Sequence, residues 1–89
     1  MPKFIIERSI PNVDKLPASE LRAIAMKSRA LMQEIGDMQW QETFVTADKL
    51  YCVYVATNPE LIREHGRRGG FPVDTVHRVL QVIDPTTAE

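Results

Sequence analysis

Two glutamates and one histidine are the side chains of this sequence best placed to do chemistry. Glu42 stands within the β-forming stretch QWQETFVT, and Glu7 stands within the stretch KFIIER near the start. A carboxylate among apolar strand residues must be paired, protonated, hydrated or bound to a metal ion. His65 lies on the apolar line of a helical stretch, and neutral imidazole joins carboxylates in many divalent-metal sites. These residues therefore predict a metal site or a catalytic acid or base.

Each of these three residues also has a structural interpretation. Glu42 can reach solvent from an edge strand or pair with an arginine of a second subunit. Glu7 can pair with Arg78 or Lys3. His65 can be a half-buried helical histidine that donates a hydrogen bond to a backbone carbonyl. We expect His77 on a half-exposed face of the last strand, and its spacing from His65 matches no metal-binding motif.

The remaining reactive residues and motifs indicate no particular reaction. The single cysteine, Cys52, excludes an internal disulfide and any CxxC pair. We predict that Cys52 packs beneath the helices as a small apolar residue, because no neighbouring cation in the sequence activates its thiol. Walker A, GxGxxG, GxSxG and HExxH patterns are all absent.

The composition excludes several classes of protein. Among 89 residues, 11 are basic and 12 are acidic, the formal net charge is −1, and 44% are hydrophobic. This is globular composition, and its near-neutral charge argues against a nucleic-acid partner. No apolar run approaches the roughly 20 residues that span a bilayer, and the start lacks the features of a signal peptide. We therefore expect one cytoplasmic domain over residues 1–89, with no membrane partner.

Local patterns predict six elements in the order β-α-β-β-α-β. Strands are expected from their alternation and β-branched content, and helices from an apolar stripe, an Asn-Pro start and glycine stops. The predicted strands span residues 3–8, 39–46, 49–56 and 76–83, and the predicted helices run from Pro17 to Gly36 and from Asn58 to Gly69-Gly70. This order is typical of a ferredoxin-like α+β fold, a four-stranded antiparallel sheet with both helices on one face.

The register of the central hairpin predicts which side chains share a face. If Val45 pairs with Leu50, then Glu42 lies opposite Val53, since cross-strand partners share a face. The other predicted pairs are Phe44 with Tyr51 and Thr43 with Cys52. Strict alternation adds Trp40 to the face that carries Glu42. Because this fold leaves one sheet face uncovered, such an apolar patch predicts a homodimer or a larger assembly built on it.

Four segments of the sequence carry a specific combination of residues: MPKFIIERSIP, QWQETFVTADKLYCVYVA, REHGRRGGFP and IDPTTAE. Together they resemble a bacterial family of small domains of unknown function that includes a nickel-binding protein. The resemblance implies a ferredoxin-like fold, dimers or larger assemblies, and a divalent metal ion, with nickel as the candidate. His65 keeps the family residue, whereas many relatives carry histidine where Glu42 stands. An oxygen ligand at that position shifts the metal preference from nickel toward harder ions.

These observations support functions in three different classes. The first is a metal-binding protein without assigned catalysis, in which Glu42, His65 and Glu7 supply ligands that water or a second subunit completes. The second is a cofactor-free oxygenase or isomerase, in which Glu42 or His65 acts as the acid or base and Tyr51 orients substrate in a pocket between sheet and helices. An RNA-binding module ranks third, because Tyr51 and Tyr54 face opposite ways on their strand.

Overall fold

The protein folds as a four-stranded antiparallel sheet with two helices packed on one of its faces. The computed structural model describes residues 1–89. Its elements are β1 (Lys3–Ser9), α1 (Ala18–Ile35), β2 (Met38–Val45), β3 (Lys49–Ala56), α2 (Pro59–Gly69) and β4 (Thr75–Arg78), with 3-10 turns at Val13–Lys15 and Pro85–Ala88. The strand order β2-β3-β1-β4 confirms the predicted ferredoxin-like fold. Neither α1 nor α2 combines the length and the apolar character needed to cross a membrane.

Both helices begin and end where the sequence signals predict. At the start of α2, the Asn58 side chain accepts a hydrogen bond from the backbone N–H of Glu60, and Pro59 occupies the first turn. Gly70 ends this helix in the left-handed conformation with φ +71°, and Gly36 ends α1 with φ +74°. Glycine adopts such angles without the steric cost that other residues have.

Alternating residues of β1 and β3 form the floor of the core beneath the helices. On β3 every second side chain is buried, and Ile62 of α2 and Met32 of α1 cover them from above. Such strict alternation is expected for a sheet that is covered on one face only. The buried residues of β1 and β3 on this covered face are Phe4, Ile6, Arg8, Leu50, Cys52, Tyr54 and Ala56.

The hairpin of β2 and β3 has the predicted register. The observed pairs are Val45 with Leu50, Phe44 with Tyr51, Thr43 with Cys52 and Glu42 with Val53. Since cross-strand partners share a face, Glu42 lies on the uncovered face and Cys52 on the covered one. Cys52 is only 3% exposed, which confirms the prediction that it packs beneath the helices.

The predicted position of Trp40 on the uncovered face is wrong. The strand register shifts between Trp40 and Glu42, so that Trp40 pairs with Tyr54 and lies on the covered face. A bulge adds one residue, here Gln41, and thereby reverses the alternation of side chains on one side of it. The indole N–H of Trp40 donates a hydrogen bond to Thr43 Oγ1 at 2.8 Å, on the same covered side.

The last strand, β4, is shorter than predicted. Its pairing with β1 ends with Arg78 opposite Phe4, and one further hydrogen bond joins the Val79 N–H to the Lys3 carbonyl. Because β1 begins at Lys3, the chain beyond Val79 has no neighbouring strand to pair with. The predicted strand over residues 76–83 is therefore wrong in its second half. This stretch leaves three apolar side chains exposed: Leu80, Val82 and Ile83.

Candidate functional site

The sheet separates the three residues that the sequence predicts as site residues. Glu7 and Glu42 lie on the uncovered face, whereas His65 is completely buried on the covered side. No group of three or more histidine, cysteine or acidic residues that could hold a metal ion forms within the chain. Glu42, His65 and Glu7 therefore do not converge within one copy. Glu42 and His65, each a candidate catalytic acid or base, lie on opposite sides of the sheet.

His65 is held between the two helices by hydrogen bonds to α1. Its Nε2 lies 3.1 Å from Ser28 Oγ and 3.3 Å from the Ser28 carbonyl oxygen. A carbonyl oxygen only accepts hydrogen bonds, so Nε2 carries the proton of this imidazole. The ring stacks on Phe71, with centroids 5.4 Å apart, and tilts against Tyr54. His65 thus has the backbone-bonded position that the structural interpretation of the sequence describes.

The environment of His65 favours the neutral imidazole. Burial lowers the pKa of His65, the positive charge of Arg8 lowers it further, and the Ser28 carbonyl acts weakly in the opposite direction. The other ring nitrogen, Nδ1, is buried without a hydrogen-bond partner. A proton added there would be buried without a hydrogen-bond acceptor, beside a second cation.

Arg8 is a buried cation that the sequence analysis did not single out. It is 2% exposed. Its Nη1 donates to the Pro72 carbonyl at 2.9 Å, and its Nη2 donates to Tyr54 Oη at 3.3 Å. Arg8 forms no salt bridge with any carboxylate. The alternation of KFIIER was the available signal, because it places Arg8 on the apolar face with Phe4 and Ile6.

The glycine-rich end of α2 builds the wall around Arg8 and His65. A Cβ atom on Gly66 would lie 2.6 Å from Val73 Cγ2 and 3.0 Å from the Phe71 carbonyl oxygen. Glycine at this position therefore allows the chain after the helix to fold back closely, and the Phe71 N–H donates to the Gly66 carbonyl at 2.9 Å. The Phe71 ring then stacks on His65 and lies 5.7 Å from the guanidinium carbon of Arg8.

A cavity of about 200 Å³ lies between α1 and the covered face of the sheet. Its lining is mostly apolar, and no acidic side chain contributes to it. The burial of Tyr54 raises the pKa of its hydroxyl to about 12, an effect that Arg8 opposes, so the hydroxyl stays protonated at neutral pH. The polar residues of the lining are Arg8, Ser28, Thr43 and Tyr54.

Glu7 is the centre of a polar cluster on the uncovered face. Thr75 Oγ1 donates to Glu7 Oε2 at 2.9 Å, and Lys49 Nζ lies 3.4 Å from Glu7 Oε1. His77 Nε2 lies 3.4 Å from Glu7 Oε2. The hydrogen bond from Thr75 lowers the pKa of Glu7, and Lys49 and His77 act in the same direction. Glu7 is therefore ionised at neutral pH. Its cationic neighbour is Lys49, and not Arg78 or Lys3 as predicted.

Glu42 stands exposed on the edge strand β2, without a salt bridge. It belongs to a cross-strand row that runs from Glu42 through Val53 and Ile5 to His77. This row crosses the whole sheet, so roughly 14 Å of strand spacing separates its two ends. Glu42 and the Glu7–His77 pair thus share a face but cannot bind one ion within a single copy.

Fold and side-chain chemistry together define a small ferredoxin-like α+β protein with polar clusters on both faces of its sheet. The chain belongs to the family of nickel-responsive proteins like SCO4226, whose model matches residues 4–79. The predicted membership of a bacterial family of small ferredoxin-like domains is thus confirmed.

One similar solved structure is the crystal structure of SCO4226 from Streptomyces coelicolor A3(2). It superposes with a TM-score of 0.76 over 91% of this chain and 99% of that chain, at 14% sequence identity. At this identity the likeness establishes the fold. No curated protein matches the chain.

Proposed function

We propose that this protein binds a divalent metal ion, with nickel as the candidate, at a site that two copies of the chain complete. The description of its family as nickel-responsive supports the choice of ion. The observation that carries the proposal is the outward-facing pair of Glu7 and His77, whose Oε2 and Nε2 atoms lie 3.4 Å apart. Carboxylate and imidazole are common ligands of divalent transition metals. Two ligands leave most coordination positions empty, so the site needs ligands from outside the chain.

The strand order allows a second copy to supply a further ligand. A two-fold axis parallel to the strands, between β3 and β1, would place β2 of one copy over β4 of the other. Facing sheets pack about 10 Å apart, a gap that two long side chains can bridge from opposite sides. Glu42 of one copy would then meet Glu7 and His77 of the other. The symmetry repeats this arrangement, so the dimer would hold two equivalent sites.

The centre of the uncovered face supports such a contact between copies. Ile5 is 37% exposed and Phe44 is 53% exposed, with the half-buried Tyr51 and Val53 between them. An apolar patch flanked by polar residues is typical of a protein interface. In the proposed dimer this patch lies near the axis. The ionisable residues of the two edges then face each other.

Native mass spectrometry with added Ni²⁺ tests the proposal. We expect a dimer that takes up two ions, and we expect Glu42→Ala and His77→Ala each to lose at least tenfold in nickel affinity. Gln39→Ala on the uncovered face and Arg78→Ala beside His77 are the matched controls, and both should bind as the unaltered protein does. A monomer without nickel, or unchanged binding in both site variants, would overturn the proposal.

A mixing experiment tests whether the two copies share the site. In a mixed dimer of Glu42→Ala and His77→Ala chains, one of the two sites keeps the unaltered His77 of one copy and the unaltered Glu42 of the other. The mixed dimer should therefore bind one ion with the affinity of the unaltered protein, while each variant alone binds nickel at least tenfold more weakly. A site contained within a single chain would show no recovery on mixing.

A further inference from the structure

Arg8 is a buried positive charge without a negative partner. Its two hydrogen bonds go to neutral acceptors, the Pro72 carbonyl and Tyr54 Oη, and it is 2% exposed. The Phe71 and Tyr54 rings beside the guanidinium group compensate in part for its lost hydration. A buried guanidinium is strongly disfavoured unless an anion pairs with it. Since no acidic residue of the chain fills this role, Arg8 has the chemistry of a receptor for an external anion.

The cavity between α1 and the sheet lies directly against this charge, and its other polar groups are also donors. Tyr54 Oη accepts the hydrogen bond from Arg8, so its own proton is free to be donated. Ser28 Oγ lies 3.1 Å from the protonated Nε2 of His65, which likewise leaves the hydroxyl proton of Ser28 free. A carboxylate placed beside Arg8 would accept hydrogen bonds from these groups. We propose that this cavity binds a small organic monocarboxylate with an apolar body.

The volume and lining of the cavity limit the size and shape of the ligand. An apolar cavity of about 150 Å³ can hold a benzene molecule, and this one measures about 200 Å³. A single ring or a short alkyl chain with one carboxylate matches that space. Binding pockets for drug-sized ligands start at about 300 Å³, so this cavity suits a smaller molecule. Val45, on the cavity wall, is exposed, which indicates where the cavity opens to solvent.

Titration of the ¹⁵N-labelled protein with benzoate, followed by amide chemical shifts, tests this proposal directly. Benzamide is the matched neutral probe, and inorganic phosphate is the matched anion without an apolar body. We expect saturable shifts with benzoate and at least tenfold weaker binding of both comparison molecules. Equal binding of benzamide would show that the charge of Arg8 is not used. Failure of both benzoate and butanoate to saturate at tens of millimolar would also overturn the proposal.

Substitutions in the cavity separate ligand binding from the stability of the fold. Ala25 of α1 lines the cavity, whereas Ala23 of the same helix is exposed and lies outside it. Ala25→Leu should fill the space and reduce benzoate binding at least tenfold, while Ala23→Leu should leave binding unchanged. Arg8→Met should also abolish benzoate binding. If that variant does not fold, the result for Ala25→Leu decides whether benzoate binds in the cavity. Benzoate binding that survives Ala25→Leu would place the ligand elsewhere.

Discussion

The two faces of one sheet carry ionisable clusters of opposite chemistry. On the covered face, Arg8 lies beside the neutral His65 and no carboxylate pairs with it. On the uncovered face, the ionised Glu7 lies between His77 and Lys49. Glu7 and Arg8 are neighbours in β1, and alternation points them to opposite sides. Because the helices remove water from one side only, a single strand contributes to the proposed anion site on one face and to the proposed metal site on the other.

The largest difference between the faces should appear in the matched pair Ile6→Ala and Ile5→Ala. Ile6 is completely buried and Ile5 is 37% exposed. We expect Ile6→Ala to lower the free energy of unfolding by about 2–5 kcal/mol, the usual cost of a cavity in a core. Ile5→Ala should cost about 1 kcal/mol or less in dilute protein. Denaturant unfolding measures both values.

Measuring the cost of both substitutions at different protein concentrations tests the proposed interface. If a second copy covers the uncovered face, the cost of Ile5→Ala must grow with protein concentration, since association stabilises the folded chain by mass action. The cost of Ile6→Ala should grow much less. An Ile5→Ala cost that does not change between micromolar and millimolar protein would contradict the proposed interface.

The next largest effect concerns the glycine that shapes the covered cluster. Gly66→Ala should cost about 1–3 kcal/mol, because the new Cβ would meet Val73 and the Phe71 carbonyl and such overpacking displaces backbone. Arg67→Ala, at the adjacent exposed position, should stay within about 0.5 kcal/mol. Thermal unfolding of the two variants measures the difference. Equal unfolding temperatures of the two variants would mean that the chain after α2 shifts to make room for the new Cβ atom without a loss of stability.

The pH dependence of stability tests the charge state of His65. The pKa of His65 is lower in the folded protein than in the unfolded chain, so below about pH 6.5 the unfolded chain binds more protons. The free energy of unfolding should therefore fall as the pH drops from 7 to 5. Its slope against pH should correspond to the uptake of no more than one proton on unfolding. Carboxylates with lowered pKa values, such as Glu7, act only at lower pH. The slope should disappear in His65→Gln, and a slope that persists in that variant would contradict the assignment.

The smallest effect concerns Lys49, which lies 3.4 Å from the proposed ligand Glu7. An ammonium group there competes with a metal ion for the carboxylate, and exposed ion pairs of this kind are weak. We expect Lys49→Gln to raise nickel affinity by about two- to fivefold. Lys27→Gln, on the helix-bearing side, should have no effect. Titration calorimetry of both variants compares the affinities, and a lower affinity in Lys49→Gln would argue against Glu7 as a ligand.

The sequence predicted most of the fold but only part of the candidate sites. Capping residues and glycines marked both helices, because those signals act within a single turn of the chain. The residues of the polar face were also predictable, since alternation in β1 places Glu7 opposite to Phe4 and Ile6. The pairing of Glu7 with His77 was not predictable, because it depends on how β4 aligns beside β1. Alternation in β1 also places Arg8 on the apolar face, but it does not show which groups of distant segments surround the guanidinium.

Local periodicity in the sequence determines which face each residue of a regular element occupies, and this was sufficient for the hairpin register and for the burial of Cys52. Where the period breaks, at the bulge of Gln41, side chains change faces in a way that strict alternation does not show. Contacts between distant segments depend on packing. Gly66 lets Phe71 fold back over Arg8 and His65, and only the assembled helices exclude water from that cluster. Burial, which sets the charge state of both residues, is therefore a property of the tertiary structure.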